Sequence, residues 1–287
     1  MKVPDFLKDF YNRQLAEWPL AANSCKALES IERKPFIVGD LKGYVQYNPS
    51  RKVSTLANVN PDAIKKRTCF LCSENRPTEQ QSIEIIPGYQ LLVNPYPILP
   101  YHFTIASESH KPQCFNAETA TGLAQKLPGM AVFYNDDGAG ASAPDHCHYQ
   151  AVPMKTLPLI NLLDSRWEEG DGGIFNNIMF TLDLPFKIIA GTMPTSLASN
   201  WETPINSYFW KSENDKIRFL IIGRKAHRPD FYFLSPPQRR AVSPGAIDMA
   251  GVIVTPFEED FKLISDDEIK EIYSQTGLEN NWEHNEK

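Results

Sequence analysis

The chain has 287 residues, of which 42% are hydrophobic and 22% charged, so it can bury a sizeable core as one large domain or two small ones. Its net charge of −6 argues against broad electrostatic binding of nucleic acid. An acidic protein can still carry a local basic cluster that binds a phosphate-bearing small molecule. The apolar runs are too short for a membrane span.

The first half is predicted to open with two helices, over about residues 4–17 and 23–32. Strand patterns follow in "PFIVGDLKGYVQYNP" and "SIEIIPGYQLLVNPYPILPYHFTIAS". A helix over about 117–127 and the strand "MAVFYN" then lead to the glycine-bearing loop "DDGAGASAPD" and a strand in "HCHYQAVP".

The second half repeats this character. Its predicted strands are "FNNIMFTL", "FKIIAGT", "IRFLIIGRK" and "AGVIVTP", and "LASNWETPINSYFWKSENDK" is interpreted as a long ordered connection. A capping box from Ser265 to Glu268 begins the final helix. Strand runs with few, segregated helices predict an α+β fold with antiparallel sheets.

The stretch "HCHYQ" carries the strongest chemical signal. Because side chains alternate along a strand, His146, His148 and Gln150 are expected on one face and Cys147 on the other, which argues against a cysteine nucleophile. The two histidines either bind one metal together or divide the work, one of them acting as a nucleophile towards phosphorus. The alternative is a pair of core histidines satisfied by the backbone.

The five cysteines are an odd number without an export signal, which predicts a reducing, cytoplasmic location. Cys69 and Cys72, in "CFLC", have the spacing of a zinc knuckle if two further ligands are available. The candidates for these are His102, His110 and His146. Ordinary thiols are the alternative.

A basic cluster, "IGRKAHRP", follows a strand of the second half. It is either a solvated strand end or a clamp on phosphate groups. Arg224 and Lys225 are its candidate phosphate ligands.

These motifs resemble the galactose-1-phosphate uridylyltransferase branch of the histidine-triad superfamily, including its GDP-hexose phosphorylase members. The similarity extends over residues 35–280. It includes "YNPSRK", "CFLCSEN", "LLVNPYPIL", "ASESHKP" and the C-terminal "PGAIDMAGVIVTPFEEDFKLISDDEIKEIY" in the same order, besides H-x-H-x-Q.

The resemblance implies two histidine-triad-like halves with antiparallel sheets flanked by helices, preceded by N-terminal helices. We expect an N-terminal helical segment (1–34), a catalytic half (35–165) and a second half without the catalytic motif (166–287). His148 is expected to form a covalent nucleotidyl intermediate, with Gln150 bonding the phosphoryl oxygens.

The resemblance further implies that Cys69, Cys72, His110 and His146 form a structural zinc site. Asn94, Asn135 and Ser142 are expected to contact the nucleotide or its phosphates. Cys147 stands where the uridylyltransferases have proline, and Ser142 lies one residue earlier than their serine.

The expected function is nucleotidyl transfer, phosphorylase-like, from a nucleotide sugar or dinucleoside polyphosphate to phosphate or a sugar phosphate. The alternatives are a nucleotide hydrolase, a metal-dependent hydrolase that uses both histidines as ligands, and a non-catalytic nucleotide-binding protein with a structural zinc. We expect neither a nucleic-acid nor a membrane partner, and a homodimer is an open alternative to a monomer.

Overall fold

The computed structural model describes residues 2–56, 61–167, 174–176, 182–193, 197 and 199–279. The helices in these ranges are α1 (Asp5–Glu17), α2 (Pro19–Ala27), α3 (Lys52–Thr55), α4 (Pro61–Lys66), α5 (Ala117–Lys126), α6 (Pro158–Arg166), α7 (Ala246–Met249), α8 (Glu258–Leu263) and α9 (Asp266–Thr276). The strands are β1 (Arg33–Val38), β2 (Leu41–Tyr47), β3 (Ser82–Ile86), β4 (Tyr89–Val93), β5 (Phe103–Ser107), β6 (Met130–Asn135), β7 (His148–Pro153), β8 (Ile174–Asn176), β9 (Ile188–Thr192), β10 (Ile205–Lys211), β11 (Ile217–Gly223) and β12 (Val252–Thr255).

Nine of the strands in the described ranges form one sheet, in the order β3-β4-β5-β7-β6-β10-β11-β9-β8. Every neighbouring pair is antiparallel. The first five strands come from the first half of the chain and the last four from the second half. The pairing of β6 with β10, from Ala131↔Trp210 to Asn135↔Asn206, joins the two halves edge to edge.

A smaller sheet, of three strands in the described part of the chain, has the order β1-β2-β12. β1 and β2 form an antiparallel hairpin, and β12 pairs with β2 in parallel. The C-terminal half therefore completes a sheet that begins at residue 33.

Two hydrophobic cores lie on opposite sides of the large sheet. Neighbouring residues of β10 show the division, since Trp210 packs into one core with Tyr273, and Phe209 packs into the other with Leu7 and Phe103. Burying one large apolar side chain contributes about 1.5–3 kcal/mol. Helix α1 is thus held to the sheet by its apolar stripe, which includes Leu7.

The predicted antiparallel sheets, flanking helices and N-terminal helices are confirmed, with β12–β2 as a parallel exception. The second helix covers Pro19–Ala27 rather than 23–32, because proline suits the first helical turn, where its missing N–H costs no bond. The capping box at Ser265 is also confirmed.

One predicted connection is wrong, because residues 205–211 form strand β10. Both faces of this strand are buried, so its sequence "INSYFWK" lacks the alternation that marks a half-exposed strand. The predicted strand "FNNIMFTL" lies largely outside the described residues. The division at residues 34 and 165 stays a prediction. No helix in the described ranges combines the length and apolarity needed to cross a bilayer.

Candidate active site

The buried imidazole of His148 lies at the first residue of β7. Its Nδ1 contacts the carbonyl oxygen of His146 at 2.8 Å. Because a carbonyl can only accept, Nδ1 carries the proton and Nε2 keeps its lone pair in the neutral ring. Burial lowers the pKa of His148 to about 4, so the ring is neutral near neutral pH. His146 precedes the strand, and the expectation of one strand face for all three side chains is therefore wrong.

The backbone of His148 is fixed by Gln113, a residue that sequence reasoning missed. The Gln113 side chain accepts from the His148 N–H at 2.8 Å and donates to the carbonyls of His148 (3.2 Å) and Asn135 (2.7 Å). The β6–β7 ladder ends at Phe133↔Gln150, so this amide bridges the two strands beyond their last backbone pair. Its surroundings, "HKPQCFN", give no motif that would have identified it.

Gln150 lies two residues along β7 and contacts a second buried imidazole. Its Oε1 lies 2.7 Å from Nε2 of His102, whose Nδ1 accepts from the Ile98 N–H at 3.2 Å. Burial, reinforced by the charge of Arg51, lowers the pKa of His102 to about 3. His102 was a candidate metal ligand, but both its ring nitrogens have these other partners.

His148 and Gln150 open into a cavity of about 570 Å³, a size typical of small-molecule sites. Each predicted nucleotide or phosphate ligand of the first half, Asn94, Asn135 and Ser142, also lines it. The other polar lining side chains include Arg51, Arg67, Thr104, His227, Arg228, Ser243 and Asp248. Both halves of the chain therefore contribute to one cavity.

Asn135 connects the glycine-bearing loop to the second half. Its Oδ1 accepts from Nδ2 of Asn206 at 2.9 Å and from the Ala246 N–H at 2.7 Å. Gly140 of the loop has φ +93°, and a Cβ built there would lie 2.5 Å from Cα of Gly245. Only glycine permits both this backbone conformation and this close approach of the two segments.

Arg224 and Lys225 do not line the cavity. The fully buried Arg224 donates from Nε to the Thr276 carbonyl at 2.9 Å and from Nη1 to Asn206 Oδ1 at 2.6 Å. Lys225 forms an exposed ion pair with Glu279. Their prediction as phosphate ligands finds no support in this geometry, because directly after β11 the side chain of Arg224 points into the interior and that of Lys225 points outwards.

Three other arginines supply positive charge to the cavity. Arg228, from the same basic cluster, donates to Ser243 Oγ at 3.0 Å. Arg67 pairs with Asp145, next to the H-x-H-x-Q motif. Arg51 follows "YNPS", and its Nε is buried without a hydrogen-bond partner among the described residues. An unsatisfied buried guanidinium donor that lines a cavity suits an anionic ligand.

The four predicted metal ligands converge beside this cavity. The ligand atoms of Cys69, Cys72, His110 and His146 all lie within 4.8 Å of one another. Sulfur-to-nitrogen distances are 3.3 Å for Cys69–His146, 3.6 Å for Cys72–His146 and 3.2 Å for Cys72–His110. The donor set fits zinc, since tetrahedral bonds of 2.0–2.3 Å separate ligand atoms by about 3.3–3.8 Å.

The second nitrogen of His146 explains its orientation. Nε2 lies 2.8 Å from the carbonyl oxygen of Ser107, so it carries the proton and leaves Nδ1 as the metal-facing atom. The two motif histidines thus face different neighbours, one the sulfur cluster and the other the cavity.

Comparison with solved structures identifies relatives of the fold. The structure of yeast Ap4A phosphorylase Apa2 in complex with AMP aligns with a TM-score of 0.58, covering 93% of this chain and 96% of that chain at 16% identity. Apa2 in complex with Ap4A aligns with a TM-score of 0.58 at 16% identity, covering 94% of this chain and 99% of that chain. Apa2 alone aligns with a TM-score of 0.57 at 15% identity, covering 92% of this chain and 98% of that chain. The fold is therefore α+β and histidine-triad-like.

No curated protein sequence matches the chain. A family model described as "Domain of unknown function (DUF4922)" matches residues 10–153. This match spans half of the 287 residues and contains the H-x-H-x-Q motif, the C-x-x-C motif and His110. The chain belongs to the DUF4922 family.

Proposed function

We propose that the chain is a phosphorylase-like nucleotidyltransferase that acts through a nucleotidyl-His148 intermediate. The observation that carries this proposal is the hydrogen bond from His148 Nδ1 to the His146 carbonyl, which leaves an unprotonated Nε2 at a cavity shared with Gln150. The common fold with a phosphorylase whose structures contain AMP and Ap4A supports it.

Two displacements make up the reaction. In the first, Nε2 of His148 attacks the α-phosphorus of the nucleotide substrate, and the bond from phosphorus to the bridging oxygen breaks with its electron pair left on the departing phosphate. In the second, an oxygen of inorganic phosphate attacks the same phosphorus. The P–N bond then breaks and returns its electron pair to Nε2, giving a nucleoside diphosphate.

Charge compensation at the phosphates is assigned to Arg51, Arg67 and Arg228. A polyphosphate chain carries several negative charges, and guanidinium groups bind phosphate oxygens in bidentate fashion. Arg51 is the best supported of the three, because its buried Nε lacks a partner among the residues described.

A dinucleoside polyphosphate is the preferred substrate class, and a nucleotide sugar is the alternative. Phe70 and Tyr96 line the cavity with 50% and 39% of their surface exposed. Exposed aromatic rings at a cavity suit stacking on a nucleobase, and a dinucleoside offers two bases. A nucleotide sugar would replace the second base by a polyhydroxylated ring.

The rival catalytic reading, in which both motif histidines bind a catalytic metal, is disfavoured by their orientation. Nδ1 of His146 faces Cys69 and Cys72, whereas Nδ1 of His148 bonds the His146 carbonyl. A hydrolase remains the alternative within the same chemistry, since water would then replace phosphate as the acceptor. A non-catalytic nucleotide-binding protein would not need the unprotonated Nε2 of His148 at the cavity, so this geometry favours catalysis.

We also propose that Cys69, Cys72, His110 and His146 hold a structural zinc ion. With four protein ligands a tetrahedral zinc has no open position for substrate. Its role would be to fix the segment that contains His146, whose carbonyl orients His148.

The test is product identity. The protein is incubated with diadenosine tetraphosphate or with nucleoside diphosphate sugars, each with and without phosphate, and the released nucleotides are separated. We expect slow cleavage without phosphate and faster formation of a nucleoside diphosphate with it. Rapid release of a nucleoside monophosphate in phosphate-free buffer would identify a hydrolase instead, and His148→Ala serves as the blank.

A further inference from the structure

A buried histidine outside the H-x-H-x-Q motif connects the small sheet to the candidate active site. His102 immediately precedes β5 and is 1% exposed. On one side its Nδ1 lies 3.2 Å from the backbone nitrogen of Ile98, and on the other its Nε2 lies 2.7 Å from Oε1 of Gln150.

The protonation of this ring follows from its first neighbour. A backbone N–H can only donate, so Nδ1 of His102 must accept. A neutral imidazole has one donor and one acceptor, and Nε2 of His102 therefore carries the proton. The low pKa of His102, caused by burial and by the positive charge of Arg51, keeps the ring neutral at neutral pH.

The orientation of Gln150 follows in turn. A donor at Nε2 of His102 must face an acceptor, so the amide oxygen of Gln150 is turned towards it. The NH₂ group of Gln150 is then the end of the amide that remains for the cavity, which Gln150 lines. An amide with no such neighbour would present its oxygen equally well.

The two peptide groups on either side of Ile98 are themselves held in place. The Ile98 carbonyl accepts from Nε2 of Gln46 at 3.0 Å, and Gln46 is a buried residue of β2. The amide of Asn48 donates to the neighbouring carbonyl of Pro97 at 3.4 Å. Gln46 of β2 and Asn48, just after that strand, therefore hold the segment whose N–H determines the tautomer of His102.

We infer that His102 is a positioning residue that turns the NH₂ group of Gln150 into the cavity, where it donates to the phosphoryl oxygens during transfer. This inference rests on the proposed function. Donors aimed at developing negative charge are worth a factor of about 10²–10³ in rate when well placed. If the Gln150 amide were turned the other way, its oxygen would face the phosphoryl oxygens and repel them.

A double-mutant cycle tests the coupling. His102→Phe keeps a ring of similar size beside Phe133 but removes both nitrogens. We expect His102→Phe and Gln150→Ala each to lower kcat about 100-fold or more with a small change in KM. The double variant should be no slower than Gln150→Ala alone, because His102 acts through that amide. Effects that multiply in the double variant would overturn the inference.

Tyr149→Phe is the matched control on the same strand. The Tyr149 side chain lies in the other core, and its hydroxyl bonds the backbone of Asn116. Its loss should lower the melting temperature while kcat stays within about twofold of the wild type. A comparable fall in kcat in this control would mean that the His102 effect reflects general destabilisation of β7.

Nitrogen-15 NMR of the wild-type imidazoles decides the tautomer without any enzymatic activity. We expect the signals of His102 to report an unprotonated Nδ1 and a protonated Nε2 between pH 5 and pH 8. A proton on Nδ1 would overturn the inference whatever the protein catalyses. If the tautomer is as expected but the wild type turns over no nucleotide, the proposed function fails and the orientation of Gln150 stands.

Discussion

His148 and Arg224 are both buried polar residues, one in each half of the chain. His148 begins one strand of the large sheet, and Arg224 directly follows another. His148 commits one ring nitrogen to a carbonyl and turns the other towards a cavity. All three guanidinium nitrogens of Arg224 donate to protein acceptors. Burial alone therefore does not distinguish a group that is available for chemistry from a structural one. The distinction is whether every polar atom of the group already has a hydrogen-bond partner.

The basic cluster "IGRKAHRP" of the second half likewise contains one structural arginine and one that lines the cavity. Arg224 holds the segments that meet behind the cavity, since it bonds Asn206, which in turn bonds Asn135. Arg228, four residues further on, lines the cavity. The second half thus contributes both support and charge, although the H-x-H-x-Q motif belongs to the first half.

The largest expected effect is that of His148→Ala on turnover. His148 is the proposed nucleophile, and removal of a nucleophile costs about 10⁴-fold or more in kcat. Steady-state kinetics with the preferred nucleotide substrate measure this, while circular dichroism and metal analysis should match the wild type. Activity within tenfold of the wild type in the alanine variant would refute the role of His148.

Cys72→Ser should remove both metal and stability. Four converging ligands predict about one zinc per chain in the wild type, and metal binding to such a site is coupled to folding. Metal analysis and thermal unfolding measure the two effects. Cys114→Ser is the matched control, because Cys114 is exposed and lies outside the ligand cluster. Full zinc content in Cys72→Ser would contradict the proposed site.

Arg224→Met should lower the free energy of unfolding by about 3 kcal/mol, because it leaves several buried carbonyls without a donor. Lys225→Met, beside it, should cost less than about 1 kcal/mol, since the ion pair with Glu279 is exposed. Urea denaturation of the two variants gives both values. Equal free energies of unfolding in the two variants would contradict a structural role for Arg224 that Lys225 lacks.

A smaller effect concerns pH and His102. Its pKa is about 3 in the folded protein and 6.5 ordinarily, so between these values the unfolded chain binds the extra proton. Stability due to this group is therefore complete above pH 6.5 and falls as the pH drops, by up to about 1.4 kcal/mol per pH unit. His102→Gln should show a correspondingly shallower dependence of the unfolding free energy between pH 6 and pH 4. Identical slopes in both proteins would show that His102 titrates normally.

The sequence was most informative where a few residues of fixed spacing carry the chemistry. The strand spacing of His148 and Gln150 and the C-x-x-C spacing anticipated groups that the fold brings to one cavity and one cluster. The separate partners of His146 and His148 also agree with the expected division of work.

Gln113, which sequence reasoning missed, and His102, which it named only as a candidate metal ligand, act through contacts between distant segments. Gln113 bonds the backbone of β6 and β7, and the partners of His102 come from Ile98 and Gln150. Neither position has a local pattern, because its role depends on tertiary approach. Strand β10 was missed for a related reason. Both of its faces are buried, by α5 and the two cores, so its sequence does not alternate between apolar and polar residues.

The most direct test of the central claim is to trap the covalent intermediate. The wild type is mixed with a dinucleoside polyphosphate labelled at the α-phosphate in phosphate-free buffer, quenched within one turnover in alkali and digested for peptide mapping. We predict that the label lies on His148 as an acid-labile phosphoramidate, which disappears when phosphate is added before the quench and never forms in His148→Ala. Turnover without a labelled protein species, or a label on another residue, would contradict the account.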